Sequence, residues 1–478
     1  MIAATAHQGS QFEIRNPFDD TVLEVIPAHT PSDAETAIER ASTALLRHNR
    51  LTRQDRSDIL FAAAALLNTR QEAFAELVTR ESGKIIRQAR KEVLRAVSTL
   101  KIAAAEALGL RGEEIPFDAF SSNAAASGYY SWEPIGIVLG ITPFNDPLNL
   151  VAHKVAPALA VGAPIIIKPS ELAPLSALKL RALLIECGMP EPMFQVLVGD
   201  AGLGEYLTHH QRVRMISFTG GENTAEAIVR SAGLKKYGFD LGGNAPVIVA
   251  DSADLDAAVS GCVSGAFWAN GHNCISVQRI LVDESQFHAF TERFLRQVAD
   301  LEVGDPLQET TDLGPVISDI QAERIRNIIT RSRELDANSI GIGGTASNRL
   351  IDPTVFVNPK AVAPCIEEEV FGPIVSIQKF KTIEHAVCMA NDTETALNAG
   401  LYCRDIGLAH HLAQVLEFSA IMINESSDFR FDNMPFGGAK RGGVGREGVR
   451  FAMAEMSHPK VRVTFPSQTF SAMSDAIC

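Results

Sequence analysis

Six short stretches hold residue types that can do chemistry together. The first is Asn270-Gly-His-Asn-Cys-Ile-Ser-Val-Gln-Arg279, with Cys274 between a polar turn and the apolar run Arg279–Val282. A turn leaves a thiol exposed, and an ionised thiol is a strong nucleophile. Most cysteines are small buried hydrophobes, so this residue alone decides nothing. In Thr142-Pro-Phe-Asn145 the Asn amide follows a buried strand, where it can donate to a developing oxyanion or cap a turn. Ile165-Ile-Ile-Lys168-Pro-Ser-Glu171 puts a lysine at a strand end and a carboxylate three residues on. That carboxylate can accept from ribose hydroxyls, or the two can form a solvated surface pair. Phe218-Thr-Gly-Gly-Glu222 reads as strand, glycine turn and helix, so Gly220 and Gly221 offer bare amides to phosphate, although many glycine turns bind nothing. Asp240-Leu-Gly-Gly243 sets a carboxylate beside a flexible turn. Glu367-Glu-Glu-Val-Phe-Gly-Pro373 sets Glu369 and Phe371 at the start of an extended run.

These residues need a scaffold. Short apolar runs at Ile135–Ile141, Pro164–Ile167, Phe194–Val198, Met215–Phe218 and Pro246–Val249 alternate with helical segments such as Leu175–Cys187 and Asn223–Ala232. Strand alternating with helix predicts a parallel sheet, which binds its ligand at the carboxyl ends of its strands. Asn145, Lys168 and Gly220 each fall just beyond such a run, and Asp240 just before one. Upstream, Phe12–Arg15 and Thr21–Ile26 read as a hairpin. Ser32-Asp-Ala-Glu35 has capping-box spacing for a helix start. Gln54 to Leu110 is a helical block interrupted at Gly83, read as packing and not as chemistry. Lys460–Phe465 alternates like an edge strand able to pair with a partner subunit.

A chain of 478 residues exceeds what one hydrophobic core usually serves, so at least two domains are expected. The net charge of −14 argues against nucleic acid or an anionic membrane surface as the main partner. No apolar run is long enough to span a bilayer, and no secretory signal opens the chain. Seven cysteines without close pairs fit reduced thiols in the cytoplasm. His272 and Cys274, two apart, do not make a metal site, so none is expected.

Together the six stretches, in this order and spacing, resemble the aldehyde dehydrogenase superfamily from about Arg15 to Phe465. The Pro143-Phe-Asn-Asp-Pro-Leu-Asn-Leu-Val-Ala-His-Lys154 version looks most like its lactaldehyde- and phosphonoaldehyde-type branches. The resemblance implies an α/β fold: a Rossmann-like cofactor domain (1–118 and 135–242), an α/β catalytic domain (243–458), and a small β oligomerisation element (119–134 and 459–478). It implies a homodimer or homotetramer. It also implies NAD(P)-dependent oxidation of an aldehyde to an acid, with NAD preferred and NADP possible. Cys274 would form a thiohemiacetal and then a thioester, and Asn145 with the Cys274 N–H would hold the oxyanion. Asp240 would activate the deacylating water. Lys168 and Glu171 would bind the adenosine ribose, Gly220 and Gly221 the pyrophosphate, Glu369 the nicotinamide ribose, and Phe371 the nicotinamide side. Asp146 and His153, seven apart, would share a helical face along the substrate channel. Arg430 would meet an anionic tail, or pair with Asp428 or Asp432.

This sequence departs from the family pattern at five places. Asp240 replaces a glutamate, His272 a glutamine, Asn244 a lysine, Ala225 a glycine and Asp146 an aromatic residue. The shorter Asp240 leaves His272 as a second candidate for activating water. Three other activities stay open at this point. They are a CoA-acylating relative, a cysteine esterase using Cys274 with His272, and a non-catalytic descendant of the fold.

Overall fold

The computed structural model describes residues 11–48, 51–120 and 126–465. Two sheets organise it. The six-stranded sheet has the order Gly443–Val444, Lys236–Asp240, Val213–Thr219, Ile137–Thr142, Ile165–Pro169, Phe194–Val196. All neighbours are parallel except the short edge strand Gly443–Val444. Ile165, Ile166 and Ile167 have no exposed surface, as expected of a strand covered on both faces. The seven-stranded sheet has the order Ile340–Ile342, Thr354–Val357, Ile374–Phe380, Val277–Asp283, Ala245–Val249, Asn398–Tyr402, Ala420–Ile423. Only its first strand is antiparallel. A separate antiparallel ribbon pairs Ser127–Pro134 with Ser457–Thr464. The outer parts of the expected oligomerisation element, 121–125 and 466–478, lie outside the described residues.

The hairpin near the start is present as Gln11–Arg15 with Val22–Pro27. The first helix runs Pro31–His48 and begins earlier than Ser32. Thr30 N donates to Asp33 Oδ2 at 2.7 Å, and Asp33 N donates back to Thr30 Oγ1 at 3.3 Å. Pro31 lacks an N–H and fits the first helical position, which moves the cap to Thr30. The helical block resolves into Arg53–Thr69, Gln71–Ser82 and Ile86–Gly109, with Gly83 left-handed at φ 76 between the last two. Several elements escaped the sequence reading, among them the strand Asn398–Tyr402 and the helices Ala201–His209 and Val449–Glu455, and two of them bear on the site. Lys236–Asp240 is a strand, so Asp240 also stands at a strand's carboxyl end. Asp319–Leu335 is a helix whose buried face is interrupted by Gln321 and Ser332.

Candidate active site

The loop before Cys274 is built from left-handed residues: Ala269 (φ 49), Asn270 (φ 59) and Gly271 (φ 72). Such a run is costly for non-glycine residues and must be held from outside. Asn270 is the anchor. Its Nδ2 donates to the carbonyls of Gly83 (3.2 Å) and Pro315 (3.0 Å), and its Oδ1 accepts from Gly314 N at 2.7 Å. The chain then turns through Asn273, whose Oδ1 accepts from Ile275 N at 3.2 Å, and enters the strand Val277–Asp283.

Cys274 lies in the wall of a cavity of about 600 Å³, together with Asn145, Asp146, His272 and Arg430. The thiol is less exposed than a turn position suggests. Burial pushes it up to about 12, Arg430 pulls the other way, and Asp240, Glu369 and Asp146 add to the rise. Asn145 follows the strand Ile137–Thr142 of the other sheet. Its Nδ2 donates to the His272 carbonyl at 2.9 Å, so one bond joins the loops of the two sheets. The His272 ring stacks on Phe371 (centroids 5.4 Å, 25°) and meets the edge of Phe144 at 5.3 Å. Burial pulls it down to about 3, so the ring is neutral, and its Nε2 has no partner among the described residues.

Glu369 reaches the Leu241-Gly-Gly243 turn, where it accepts the Gly243 N–H at 3.2 Å. A Cβ on Gly242 would fall 2.0 Å from that carboxylate, so a side chain there would displace Glu369 from the turn. Burial pushes Glu369 up to about 7. Its loop is clamped by residues the sequence reading missed. Gln321 Nε2 donates to the Phe371 carbonyl at 2.8 Å, Arg324 Nη1 to the Glu369 carbonyl at 3.1 Å, and Gln278 Oε1 accepts from Val370 N at 2.9 Å. The clamp holds Phe371 at φ 47. Gln321 and Arg324 lie three apart on the unforeseen helix, and that spacing was the only signal available.

Asp240 is buried behind the cavity and does not line it. Burial raises its carboxyl well above the usual range, and Glu447 raises it further. Glu447 itself is held low, against its burial, by the charges of Lys154 and Arg430. Lys154 Nζ lies 2.8 Å from Glu447 and also donates to Ser217 (3.1 Å) and Thr219 (2.9 Å). Arg430 pairs with Glu447 at 3.3 Å, and with neither Asp428 nor Asp432. Its guanidinium sits over the Phe436 ring at 3.7 Å.

The substrate-side expectations separate. Asp146 lines the cavity, but His153 does not. The helix begins at Asn149, so the two share no helical face. His153 is 1% exposed, and its Nε2 contacts Asp432 Oδ1 at 3.0 Å. The supposedly inert helical block supplies the wall. Lys91, Leu94, Arg95 and Ser98 of Ile86–Gly109 line the cavity at successive helical turns. Arg95 bridges Asp146 (3.3 Å) and Asp432 (3.0 Å). Lys84 pairs with Glu92 at 2.5 Å and also with Asp146. Asp146 stands where an aromatic residue was expected because two cations hold it there.

On the six-stranded sheet, Lys168 Nζ lies 3.8 Å from Glu171, and burial lowers the lysine's pKa. Gly221 starts the helix Glu222–Ala232 with no side-chain cap and open space around it. Gly220 is engaged otherwise, since its N–H donates to the Asp240 carbonyl at 3.1 Å. An uncapped helix start and a carboxylate at strand ends fit a dinucleotide.

Parallel sheets with ligand loops at their carboxyl ends, and a thiol beside an amide donor in one cavity, define a dinucleotide-dependent oxidoreductase that works through a cysteine. The profile of the Aldehyde dehydrogenase family matches residues 4–461. Aspartate-semialdehyde dehydrogenase 1 of Pseudomonas canavaninivorans is 47% identical over 94% of this chain and 95% of its own. The crystal structure of aldehyde dehydrogenase 21 from Physcomitrella patens, in complex with the reaction product succinate, superposes with a TM-score of 0.93. Its identity is 34%, covering 97% of this chain and 96% of that one. Glyceraldehyde-3-phosphate dehydrogenase GapN from Methanocaldococcus jannaschii, complexed with NADP, gives a TM-score of 0.91 and 36% identity over 96% of this chain and 100% of that one. The chain belongs to the aldehyde dehydrogenase family. It is an NAD(P)-dependent enzyme that oxidises an aldehyde to a carboxylic acid. Among the described residues no helix is long and apolar enough to cross a membrane.

Proposed function

We propose that the substrate is a short aldehyde with an anionic end, and that Cys274 and Asn145 carry the chemistry. The observation that supports the substrate class is Lys91, which lines the same cavity as Cys274 with no ion pair among the described residues, while Arg95 and Arg430 there are answered by Asp146, Asp432 and Glu447. The similar proteins point the same way, since their names carry a semialdehyde acid, succinate or a phosphate ester.

Cys274 Sγ bonds to the aldehyde carbon. One Asn145 amide hydrogen is taken by His272, which leaves the other for the oxyanion. Lys168 and Glu171 would hold the adenosine ribose, the amides beyond Gly221 the pyrophosphate, Glu369 the nicotinamide ribose and Phe371 the ring face. The bound nicotinamide supplies the hydride acceptor. Oxidation leaves a thioester on Cys274, and water releases the acid. Asp240 takes the proton of that water through a relay, with Glu369 as its rival. We also assign 1–118 and 135–242 to a cofactor domain, 243–458 to a catalytic domain except for Gly443–Val444 and Val449–Glu455, which pack with the cofactor sheet and its helices, and 119–134 with 459–478 to an oligomer contact in the cytoplasm. Exposed Tyr129, Val461 and Val463 on the paired ribbon support that contact.

The test compares succinate semialdehyde with butanal, which has the same chain length and no charge. A kcat/KM at least tenfold higher for the semialdehyde is expected, and equal or better turnover of butanal would overturn the reading.

A further inference from the structure

The cavity's three cations are not equivalent. Arg95 already bridges Asp146 and Asp432. Arg430 is paired with Glu447 and covered on one face by Phe436. Lys91 alone among them has no ion pair within 4.0 Å among the described residues, and it is exposed at the rim. It stands one helical turn before Arg95 on Ile86–Gly109, so the two side chains share one wall of the cavity, and Lys91 is the more exposed of them. Its ammonium lies 5.0 Å from the centroid of Trp268, which also lines the cavity. That contact keeps the charge at the cavity mouth at little cost to its availability. Across the rim, Asp428 and Glu425 also line the cavity. Burial raises Asp428 from its ordinary value, and the charge of Lys91 opposes the rise, so Lys91 faces this carboxylate across the rim without an ion pair to it.

We propose that Lys91 is the specificity-determining residue for the acidic end of the substrate: its ammonium takes the terminal carboxylate while the formyl carbon rests at Cys274. The arrangement separates two tasks. Arg430, the cation that favours the Cys274 thiolate, stays committed to Glu447, and the tail is read by a lysine with no other ion-pair partner. This inference rests on the proposed anionic substrate.

Lys91→Met, Lys91→Arg and Lys91→Glu are assayed on the whole enzyme with NAD, succinate semialdehyde and butanal. The ratio of kcat/KM for the semialdehyde over butanal falls about tenfold in Lys91→Met, carried by KM. It is largely kept in Lys91→Arg and falls further in Lys91→Glu. A wild-type ratio in Lys91→Met, in an enzyme that does prefer the semialdehyde, overturns the role of Lys91 and leaves the substrate class standing. A wild-type enzyme with no such preference overturns both. Lys91 is exposed and has no ion pair among the described residues, so a thermal melt close to wild type is expected and checks that the variants are folded.

Discussion

Asn145 Nδ2 lies 2.9 Å from the carbonyl oxygen of His272, two residues before the thiol it must serve. The amide is therefore aimed before any substrate arrives, and donors fixed in advance contribute most to an oxyanion. Asn145→Ala is expected to lower kcat by about 10²–10³, the usual loss for one such donor, with little change in aldehyde KM. A kcat within a few-fold of wild type would remove Asn145 from the reaction. Cys274→Ala provides the reference: no turnover, with cofactor binding intact.

Asp240 and Glu369 compete for the water-activating role. Asp240 is about 1.5 Å shorter than the family's glutamate and is engaged with Glu447. Glu369 touches the same Gly243 turn and titrates at about 7, near the value that suits a base at neutral pH. Single-turnover kinetics separate them. If Asp240 serves, Asp240→Asn gives a burst of NADH followed by slow steady-state turnover. If Asp240→Asn keeps the wild-type steady state and Glu369→Gln shows the burst, the role passes to Glu369.

Glu369 also sets a pH dependence for cofactor binding. Its carboxyl is raised, so it keeps its proton up to pH 7 and is ionised above it. The ionised form accepts from the ribose hydroxyls with both oxygens and more strongly than the neutral acid. Cofactor affinity should therefore tighten from pH 6 to pH 8 in titrations followed by fluorescence, and Glu369→Gln should flatten the curve. An equally steep curve in that variant would assign the titration to another group.

NAD should be preferred over NADP. A 2′-phosphate near Glu171 would meet a like charge, worth roughly 4 kcal/mol at ~4 Å and an effective dielectric near 20. Lys168, 3.8 Å from Glu171, offsets part of this. Glu171→Gln should narrow the gap in kcat/KM, and a wild-type enzyme faster with NADP would refute the assignment.

Glu447 neutralises Lys154, which has no exposed surface, and Arg430 together. Glu447→Ala strands two buried cations and should cost about 3–5 kcal/mol of stability, read from denaturant or thermal unfolding. A loss below about 1 kcal/mol would mean that water or Asp240 replaces it.

The sequence alone determined that strands alternate with helices in a parallel sheet, and which segments carry Cys274, Asn145, Lys168, Glu171 and Glu369; the order of the strands came only with the fold. Each rests on a local pattern, an apolar run beside a turn, and local patterns are written in neighbouring residues. The tertiary structure decided what those patterns cannot hold. Arg95 and Asp432 are 337 positions apart, and Lys154 and Glu447 are 293 apart, yet each pair meets in the interior. Such pairs leave no periodicity, so the helical block looked inert and His153 looked like a channel residue. The same holds for the thiol. Its residue type made it a nucleophile, but only the packing around it decided that it is protonated at rest, because burial in a low-dielectric wall acts on charge and not on sequence.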